Sequence, residues 1–393
     1  MPSAPARTLS VASSAASIQH SRIRELAEIA MSMDGVLRLY FGESNLPTPD
    51  YIKRAAQQAM ADGYTFYTEN AGLPSTRRAI ARYYAAKQSV HLDPASEIVL
   101  TASGVQALHL AIRCTLDPGD EALVLTPAWP NGAANVALSN AKPIEIAMPL
   151  EGGRYRVDFD ALEAAVTPRT RLLIYTSPSN PLGWVATVDE QRRLLEFARR
   201  HRLWLMADEV YERLYYLEEK PAPSILQLAS REDAVIVIQS FSKAYCMTGW
   251  RLGWIVAPAE FAQRAARLNE FEVSCPAAFV QRAAETALAE GEEEIAKMVA
   301  TLRANRDFCL EALRGMPGVT VPEPDGAFYL FPRIEGLTDS YGFCERLLRQ
   351  TRVGLAPGVA FGNGGEGSVR ICYASERTIL EPAMERLGNF LRA

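Results

Sequence analysis

The chain has 393 residues, 48% of them hydrophobic, and its formal net charge at pH 7 is −5. Domains with a single hydrophobic core are usually shorter than this chain, so its length predicts two domains. Its Lys and Arg residues are interspersed with Asp and Glu, so the sequence has neither a basic stripe for nucleic acid nor a polybasic tail for a membrane surface. A small-molecule partner is therefore favoured.

Residues 1–20 are rich in Ser and Ala and contain no acidic residue. They faintly resemble an organelle transit peptide but lack the apolar stretch of a secretory signal, so we expect a flexible arm. No apolar run approaches the ~20 residues that cross a bilayer. The six cysteines are scattered, without CxxC pairs or metal-ligand spacing to histidine, which predicts reduced thiols in a cytoplasmic protein and no metal site.

Short apolar runs alternate with longer amphipathic stretches from about residue 48 to residue 285. This alternation predicts an α/β domain with a mostly parallel central sheet flanked by helices. The predicted strands are 98–101, 123–126, 172–175, 203–207, 235–239 and 252–256. Helical spacing over 105–114 and 188–202 predicts two of the flanking helices, and Thr187 or Asp189 would cap the second.

The amino-acid composition changes after residue 315, where Pro and Gly become frequent. They separate predicted short strands from predicted helices near 341–352 and 379–391. This pattern predicts a smaller α+β domain. We expect the helix predicted at 21–31 to join it. Residues 21–47 and 286–393 would then form the small domain, and residues 48–285 the large one.

Ligands of open α/β sheets bind beyond the carboxyl ends of the strands, so the residues after each predicted strand are the first candidates for a site. Ser103, Gly104 and Val105 open a helix, where free N–H groups suit a phosphate, although a Ser-Gly turn is also an ordinary helix cap. Trp129 lies in a proline-flanked loop, where it could stack on a planar ring or belong to a core.

The next two strand ends carry an amide, a carboxylate and a phenol. Asn180 lies among prolines in SPSNPLG, where it is either a ligand or an ordinary turn residue. Asp208 ends an apolar strand, and Tyr211 follows shortly after it. A buried carboxylate needs a partner, which could be an arginine, a helix N-terminus or a protonated heterocyclic nitrogen.

The fifth strand end carries Lys243, with Ser240 and Ser242 before it and Arg251 after it. A lysine nucleophile must be desolvated or lie near other cations, and this segment offers both, whereas a lysine that extends to water is the ordinary alternative. The hydroxyls and the guanidinium fork suit a phosphate. One ligand accounts for all five strand ends: pyridoxal 5'-phosphate, a planar phosphorylated pyridine whose aldehyde reacts with a lysine.

Three segments closely resemble those of the class I and II aminotransferases, the fold type I group of pyridoxal phosphate enzymes that includes aspartate aminotransferase. SFSKAYCMTGWRLGW is similar to the lysine segment of that family, and SPSNPLG and ADEVY are similar to its cofactor segments in order and spacing. The resemblance runs from about Ser21 to the C-terminus. It implies a seven-stranded, mostly parallel central sheet.

The resemblance implies a role for each candidate residue. Lys243 would be the Schiff-base lysine and the general base, and Asp208 would pair with the pyridine nitrogen. Asn180 and Tyr211 would bond the ring hydroxyl, and Trp129 would stack on the ring. The phosphate would be held by Ser103, Gly104, Val105, Ser240, Ser242 and Arg251.

The resemblance also implies substrate contacts and a homodimer. Arg370 resembles the arginine that binds the substrate α-carboxylate, and Gly42 matches a position whose backbone N–H approaches the same group. Asn180 would contribute to both ligands. Tyr67 resembles the tyrosine that reaches the phosphate of the neighbouring subunit, so a dimer with shared active sites is implied.

The sequence says less about the substrate side chain than about the cofactor. Val105 stands where one bacterial aspartate-using branch of the family tends to carry a lysine for the distal substrate carboxylate, and this departure argues against a dedicated aspartate enzyme. The aromatic residues Trp129, Tyr40, Phe41 and Phe328 favour an aliphatic or aromatic substrate side chain.

The leading hypothesis is a two-stage transfer of an amino group between an L-amino acid and a 2-oxo acid, with Lys243 performing the proton transfers. A β-lyase acting on sulfur amino acids, or a cyclising synthase, is the nearest alternative, because its cofactor motifs would be the same. A non-catalytic regulator is less favoured. It would need a nucleic-acid-binding segment, which we do not expect from residues 1–20, and both Lys243 and Arg370 argue for turnover.

Overall fold

The computed structural model describes residues 10–16 and 20–393, so residues 1–9 and 17–19 of the predicted arm lie outside the described part. Its helices are α1 Ser13–Ala16, α2 Arg22–Met31, α3 Asp50–Ala61, α4 Pro74–Lys87, α5 Gly104–Thr115, α6 Asn131–Leu138, α7 Phe159–Ala165, α8 Val188–His201, α9 Ala259–Glu272, α10 Ala278–Glu290, α11 Glu292–Arg314, α12 Ser340–Thr351 and α13 Arg377–Arg392. None of these described helices is both long and apolar enough to span a membrane.

The strands of the described residues are β1 Leu37–Arg38, β2 Ile98–Thr101, β3 Glu121–Thr126, β4 Lys142–Ala147, β5 Leu150–Glu151, β6 Arg154–Tyr155, β7 Thr170–Thr176, β8 Trp204–Asp208, β9 Val235–Ser240, β10 Gly253–Val256, β11 Val319–Thr320, β12 Tyr329–Leu330, β13 Arg333–Ile334, β14 Val353–Gly354, β15 Ala356–Pro357 and β16 Val369–Cys372. All six predicted strands are present. Strand β4 is an addition that the apolar pattern did not predict.

The central sheet has seven strands in the order β2-β10-β9-β8-β7-β3-β4. Strand β10 is antiparallel to both of its neighbours, and every other pairing in the sheet is parallel. The predicted α/β class with a mostly parallel central sheet is therefore confirmed. In such a sheet the carboxyl ends of the parallel strands lie along one edge, where a ligand site is expected.

Side chains alternate along each central strand, so consecutive residues face opposite layers of helices. In β9, Val235 and Val237 belong to a core that includes side chains of α4, α8 and α10. Ile236 and Ile238 belong to the core on the other face, which includes side chains of α5 and α9. Burial on both faces explains why these strands are continuous apolar runs in the sequence.

Helix α8 begins with a capping box, which fixes where the chain leaves the loop that carries Asn180. The Oγ1 of Thr187 accepts a hydrogen bond from the backbone N–H of Glu190 at 3.1 Å, and the Glu190 carboxylate accepts from the N–H of Thr187 at 2.9 Å. Of the two caps that the sequence allowed, Thr187 is therefore the one used.

A further core lies beside the sheet and consists mainly of side chains from α11, α12 and α13 and from the short C-terminal strands. Leu26 of α2 and Leu39 join this core from the N-terminal part of the chain. Both parts of the chain are thus packed together here. Strand β16 of this core carries Arg370 to the site described next.

Candidate active site

A cavity of about 810 Å³ opens at the carboxyl ends of the central strands. Its volume is typical of sites that bind small molecules. The resemblance assigns fourteen residues a role at the cofactor or the substrate carboxylate, and twelve of them line the cavity: Gly42, Gly104, Val105, Trp129, Asn180, Asp208, Tyr211, Ser240, Ser242, Lys243, Arg251 and Arg370. Of the other two, Ser103 directly precedes Gly104, and Tyr67 does not line the cavity.

Hydrogen-bond donors gather at one wall of the cavity, where α5 begins. The Oγ of Ser103 accepts from the N–H of Gln106 at 3.1 Å and caps the helix. The other N–H groups of the first turn have no acceptor within the helix. A Cβ atom at Gly104 would lie 3.2 Å from the Cβ of Ser240, so the glycine allows the start of α5 to lie close to the end of β9.

Two hydroxyls and a guanidinium complete this wall. The Oγ of Ser240 donates to the Oγ of Ser242 at 2.9 Å and accepts from the backbone N–H of Ser242 at 3.1 Å. Arg251 adopts a left-handed φ of 55° after the short helix Thr248–Trp250 and donates from Nη1 to the carbonyl of Thr248. Helix N–H groups, hydroxyls and an arginine together suit a phosphate.

Asp208, the last residue of β8, presents a buried carboxylate to the cavity. It is 7% exposed, and within the described chain its carboxylate accepts one hydrogen bond, from the N–H of Val210 at 3.3 Å. Burial raises the pKa of Asp208 to about 6, against the opposing effects of the Val210 N–H and the Lys243 charge. A carboxylate in this setting can pair with a cationic ring nitrogen of a ligand.

Lys243 reaches from the loop after β9 to the N-terminal part of the chain. Its Nζ donates to the carbonyl of Gly42 at 2.6 Å and lies 5.4 Å from the ring centroid of Tyr211 and 5.8 Å from that of Phe328. A carbonyl and two aromatic rings therefore hold the amine inside the cavity. The amine also lies near enough to Asp208 to lower the pKa of that carboxyl.

Arg370 is a buried cation that is 2% exposed. It donates from Nη1 to the Oδ1 of Asn180 at 2.9 Å and from Nη2 to the carbonyl of Tyr40, and its Nε has no partner. Its guanidinium stacks 4.7 Å from the ring centroid of Tyr329 and 4.9 Å from that of Phe361. Among residues 20–393 its hydrogen-bond partners are an amide and a carbonyl and not a carboxylate, so its positive charge is available to an anionic ligand.

Tyr329 is a cavity residue that the sequence did not single out. Its hydroxyl lies 2.7 Å from the hydroxyl of Tyr211, and a Cβ atom at Gly42 would collide with the Tyr329 side chain. Of the four aromatic residues that the sequence connects with specificity, Trp129, Tyr40 and Phe41 line the cavity. Phe328 is buried, packs edge-on against Tyr211 and lies 5.8 Å from the Nζ of Lys243.

Tyr67 lies outside the cavity on the surface of this single chain. It is 87% exposed, and its neighbour Phe66 is 82% exposed. Large exposed aromatic side chains next to each other are typical of surfaces that another protein covers. This position is compatible with the expected reach of Tyr67 into a second subunit, which stays a prediction.

Comparisons with known proteins agree with this geometry. The family model for aminotransferases of class I and II matches residues 36–387. The chain is 37% identical to an aspartate aminotransferase of Pyrococcus abyssi, with 95% of this chain and 96% of the relative covered. It is 35% identical to aromatic-amino-acid aminotransferase 2 of Thermococcus litoralis, with 95% and 96% covered.

A solved structure shares the whole fold. The aromatic aminotransferase from Pyrococcus horikoshii superposes with a TM-score of 0.87 at 35% identity, covering 93% of this chain and 98% of that one. The family match therefore extends over most of the sequence and is accompanied by a common architecture. This chain belongs to the class I and II aminotransferase family.

Proposed function

We propose that this aminotransferase binds pyridoxal 5'-phosphate in the cavity and that Lys243 moves the protons as an amino group passes from an L-amino acid to a 2-oxo acid. Enzymes of the family use this cofactor, and relatives are named for aspartate and for aromatic amino acids. One observation carries the residue assignment. Lys243, Asp208 and Arg370 come from three distant segments and line one cavity.

The chemistry of the lining residues fits the cofactor. The helix start at Gly104, with Ser240, Ser242 and Arg251, forms a set of donors suited to a phosphate. Asp208 has one protein hydrogen bond among the described residues and can pair with the pyridine nitrogen. Along the same cavity, the amide of Asn180, the phenol of Tyr211 and the ring of Trp129 would contact the ring hydroxyl and the ring face.

When bound, the cofactor supplies an electron-withdrawing ring and carries the amino group between donor and acceptor. Lys243 would take a proton from the substrate Cα through its Nζ and return it on the cofactor side. Positioned general bases of this kind contribute roughly 10²- to 10⁴-fold to a rate. The carbonyl of Gly42 and the ring of Tyr211, which contact the Nζ, would hold it in line for this transfer.

Arg370 would bind the substrate α-carboxylate with its guanidinium fork. The amide oxygen of Asn180 and the carbonyl of Tyr40 already orient that fork. The backbone N–H of Gly42 would donate to the same carboxylate. This assignment is supported by the burial of Arg370 without a carboxylate partner in residues 20–393.

The protein would act as a cytoplasmic homodimer. The exposed aromatic residues Phe66 and Tyr67 support a covered surface, with Tyr67 reaching the phosphate site of the neighbouring subunit. The six cysteines, all within the described part, are free thiols, which agrees with a reducing compartment. We also propose that residues 48–285 form a large domain and that residues 21–47 and 286–393 together form a small one.

A panel of amino donors assayed against pyruvate, oxaloacetate and 2-oxoglutarate tests this function. We expect stoichiometric exchange of amino and oxo groups for at least one pair, with parallel-line initial-rate kinetics as a two-stage cycle requires. Incubation with amino acid alone should aminate one equivalent of cofactor and then stop. Continuous release of ammonia and a 2-oxo acid from one substrate would instead indicate a lyase.

A further inference from the structure

Two phenol groups meet at the wall of the active-site cavity. The hydroxyl of Tyr329 lies 2.7 Å from that of Tyr211, and the two rings pack edge-on with their centroids 5.7 Å apart. Tyr211 follows strand β8 and Tyr329 begins strand β12, so the contact joins segments that lie 118 positions apart. At this distance the two oxygens share one hydrogen, so one hydroxyl donates and the other accepts.

Both phenols are buried, which limits how their hydrogens can be used. Tyr211 is 4% exposed and Tyr329 is 0% exposed. Among residues 20–393 the bond between them is the one hydrogen bond that either hydroxyl makes. A phenol has one hydrogen to donate, and its oxygen can also accept. If Tyr211 gives its hydrogen to a ligand in the cavity, Tyr329 must therefore be the donor within the pair.

The surroundings of Tyr329 favour the same direction. The guanidinium of Arg370 lies 4.7 Å from the centroid of its ring, and a nearby cation makes a phenol a stronger donor. Burial raises the pKa of Tyr329 well above its usual value, against the opposing effect of Arg370, so the hydroxyl keeps its hydrogen at neutral pH. A Cβ atom at Gly42 would collide with this hydroxyl, so the backbone leaves it little room to turn away from Tyr211.

Tyr211 has a second possible partner on the cavity side. It lines the cavity, and the Nζ of Lys243 lies 5.4 Å from the centroid of its ring. The role proposed for Tyr211 above is to bond the ring hydroxyl of the cofactor. That oxygen can only accept once it is ionised, so Tyr211 would have to donate to it.

We propose that Tyr329 is a positioning residue, whose hydroxyl donates to Tyr211 and so directs the Tyr211 hydrogen to the ring hydroxyl oxygen of the cofactor. The proposal rests on the function proposed above. Hydrogen bonds in a chain polarise one another, so donation by Tyr329 also strengthens donation by Tyr211, by roughly 10–30%. Both phenols keep their protons in this arrangement.

The test is a pH titration of the visible absorbance of the bound cofactor, which changes when the nitrogen that joins Lys243 to the cofactor loses its proton. Negative charge on the ring oxygen favours that proton, and donation by Tyr211 reduces this charge. Weaker donation should therefore move the midpoint to higher pH. We expect Tyr329→Phe to raise the midpoint by roughly 0.3 to 0.6 pH unit, a two- to fourfold change in the acid constant. Tyr211→Phe should raise it by about one unit or more.

Tyr373→Phe is the matched control, because the chain holds a second buried pair of tyrosine hydroxyls. The hydroxyl of Tyr373 donates to that of Tyr216 at 3.1 Å, and neither residue lines the cavity. Its loss removes a similar buried contact but should leave the midpoint unchanged. The other charged residues of the cavity are the same in all of these variants, namely Arg24, Glu43, Asp208, Arg251 and Arg370.

Two further measurements separate this role from a general loss of structure. In the Tyr211→Phe background, Tyr329→Phe should cause no additional shift, because no Tyr211 hydrogen remains to be directed. The cofactor-free Tyr329→Phe protein should bind pyridoxal 5'-phosphate about two- to fourfold more weakly than wild type does. An analogue of the cofactor that lacks the ring hydroxyl should bind both proteins equally.

Substrate binding gives a third comparison. The ring that remains in Tyr329→Phe can still stack on Arg370, so KM for the amino acid should change less than about twofold. Should Tyr329→Phe not fold, Tyr329→Met removes the same hydroxyl for the titration and the two binding measurements.

Three results would overturn the proposal. They are an unchanged midpoint in Tyr329→Phe, an equal shift in Tyr373→Phe, and a shift of the same size when Tyr329→Phe is added to Tyr211→Phe. A wild-type protein that gains no visible absorbance with pyridoxal 5'-phosphate would instead reject the function on which the proposal rests, so the two failures are distinguishable.

Discussion

Arg370 donates from its Nη1 to the Oδ1 of Asn180 at 2.9 Å, although the two residues lie 190 positions apart. Asn180 belongs to the loop between β7 and α8, and Arg370 belongs to β16 in the core beside the sheet. The hydrogen bond therefore joins two parts of the chain at the wall of the cavity, the loop after a central strand and a strand of the neighbouring core. A carboxylate bound by Arg370 would be held by groups from both parts.

Replacing Arg370 by Ala should weaken substrate binding by about 2 to 5 kcal/mol, because a charge pair buried with the substrate carboxylate is lost. KM for the amino acid and for the 2-oxo acid should rise together, since both carry the α-carboxylate. Arg370→Lys should recover little, because an ammonium lacks the two-pronged fork. Initial-rate kinetics measure the effect, and unchanged KM values would reject this role.

Replacing Lys243 by Ala should remove both turnover and the visible absorbance that arises when the cofactor aldehyde reacts with a lysine. We expect the rate to fall by at least roughly 10²- to 10⁴-fold, the usual contribution of a general base. Lys297→Ala is the control, since Lys297 is exposed and pairs with Glu293 at 2.7 Å. Absorbance and turnover that survive in Lys243→Ala would place the reacting amine on another lysine.

Six of the seven strands of the sheet were predictable from the sequence, but the edge strand β4 and the reversed direction of β10 were not. Strands such as β9 are buried on both faces and appear as apolar runs. Strand β4 pairs only with β3, at the edge, and its sequence KPIEIA includes two charged residues and a proline, so it gives no apolar run. The direction of β10 depends on the path of the chain after Lys243, which hydrophobic pattern does not encode.

The site residues that follow strands were also predictable from the sequence, whereas those placed by contacts between distant segments were not. Most candidates directly follow strands, and parallel strands bring their carboxyl ends to one edge, so their convergence in one cavity could be anticipated. The choice between Phe328 and Tyr329 could not. Phe328 immediately precedes β12, and Tyr329 is the first residue of that strand, so the side chain that faces the cavity depends on the pairing of β12 with β16.

The raised pKa of Asp208 predicts a pH dependence of stability for the cofactor-free protein. Burial raises this pKa to about 6, above its ordinary value near ~3.9. Between these values the folded chain keeps a proton that the unfolded chain releases, so the free energy of unfolding falls as pH rises from about 4 to 6, by roughly 3 kcal/mol. Asp208→Asn removes this contribution.

Urea unfolding of the cofactor-free wild type and of Asp208→Asn measures this effect. The stability of the variant relative to wild type should increase from about pH 4 to pH 6 and change little above that window. Burial raises the pKa of Glu209 to about 8, and the Asp208 charge adds a smaller increase, so Glu209 stays protonated in both folded proteins up to about pH 6 and its contribution cancels within this window. Parallel stability curves for the two proteins would show that Asp208 ionises in the folded chain without this penalty.

Complementation between two inactive variants tests whether Tyr67 acts in the neighbouring subunit. Tyr67→Ala should be inactive at a cofactor concentration that only just saturates wild type, because it binds the cofactor more weakly, and Lys243→Ala should be inactive at any concentration. If each site takes Tyr67 from one subunit and Lys243 from the other, a hybrid dimer has one intact site, and an equal mixture refolded together should regain about a quarter of wild-type activity.

A mixture of Lys243→Ala with Asp208→Asn should regain none, because Lys243 and Asp208 line the cavity of one chain. Recovery in neither mixture would show that Tyr67 does not act in the neighbouring subunit, and recovery in both would mean that the subunits share Lys243 or Asp208 as well.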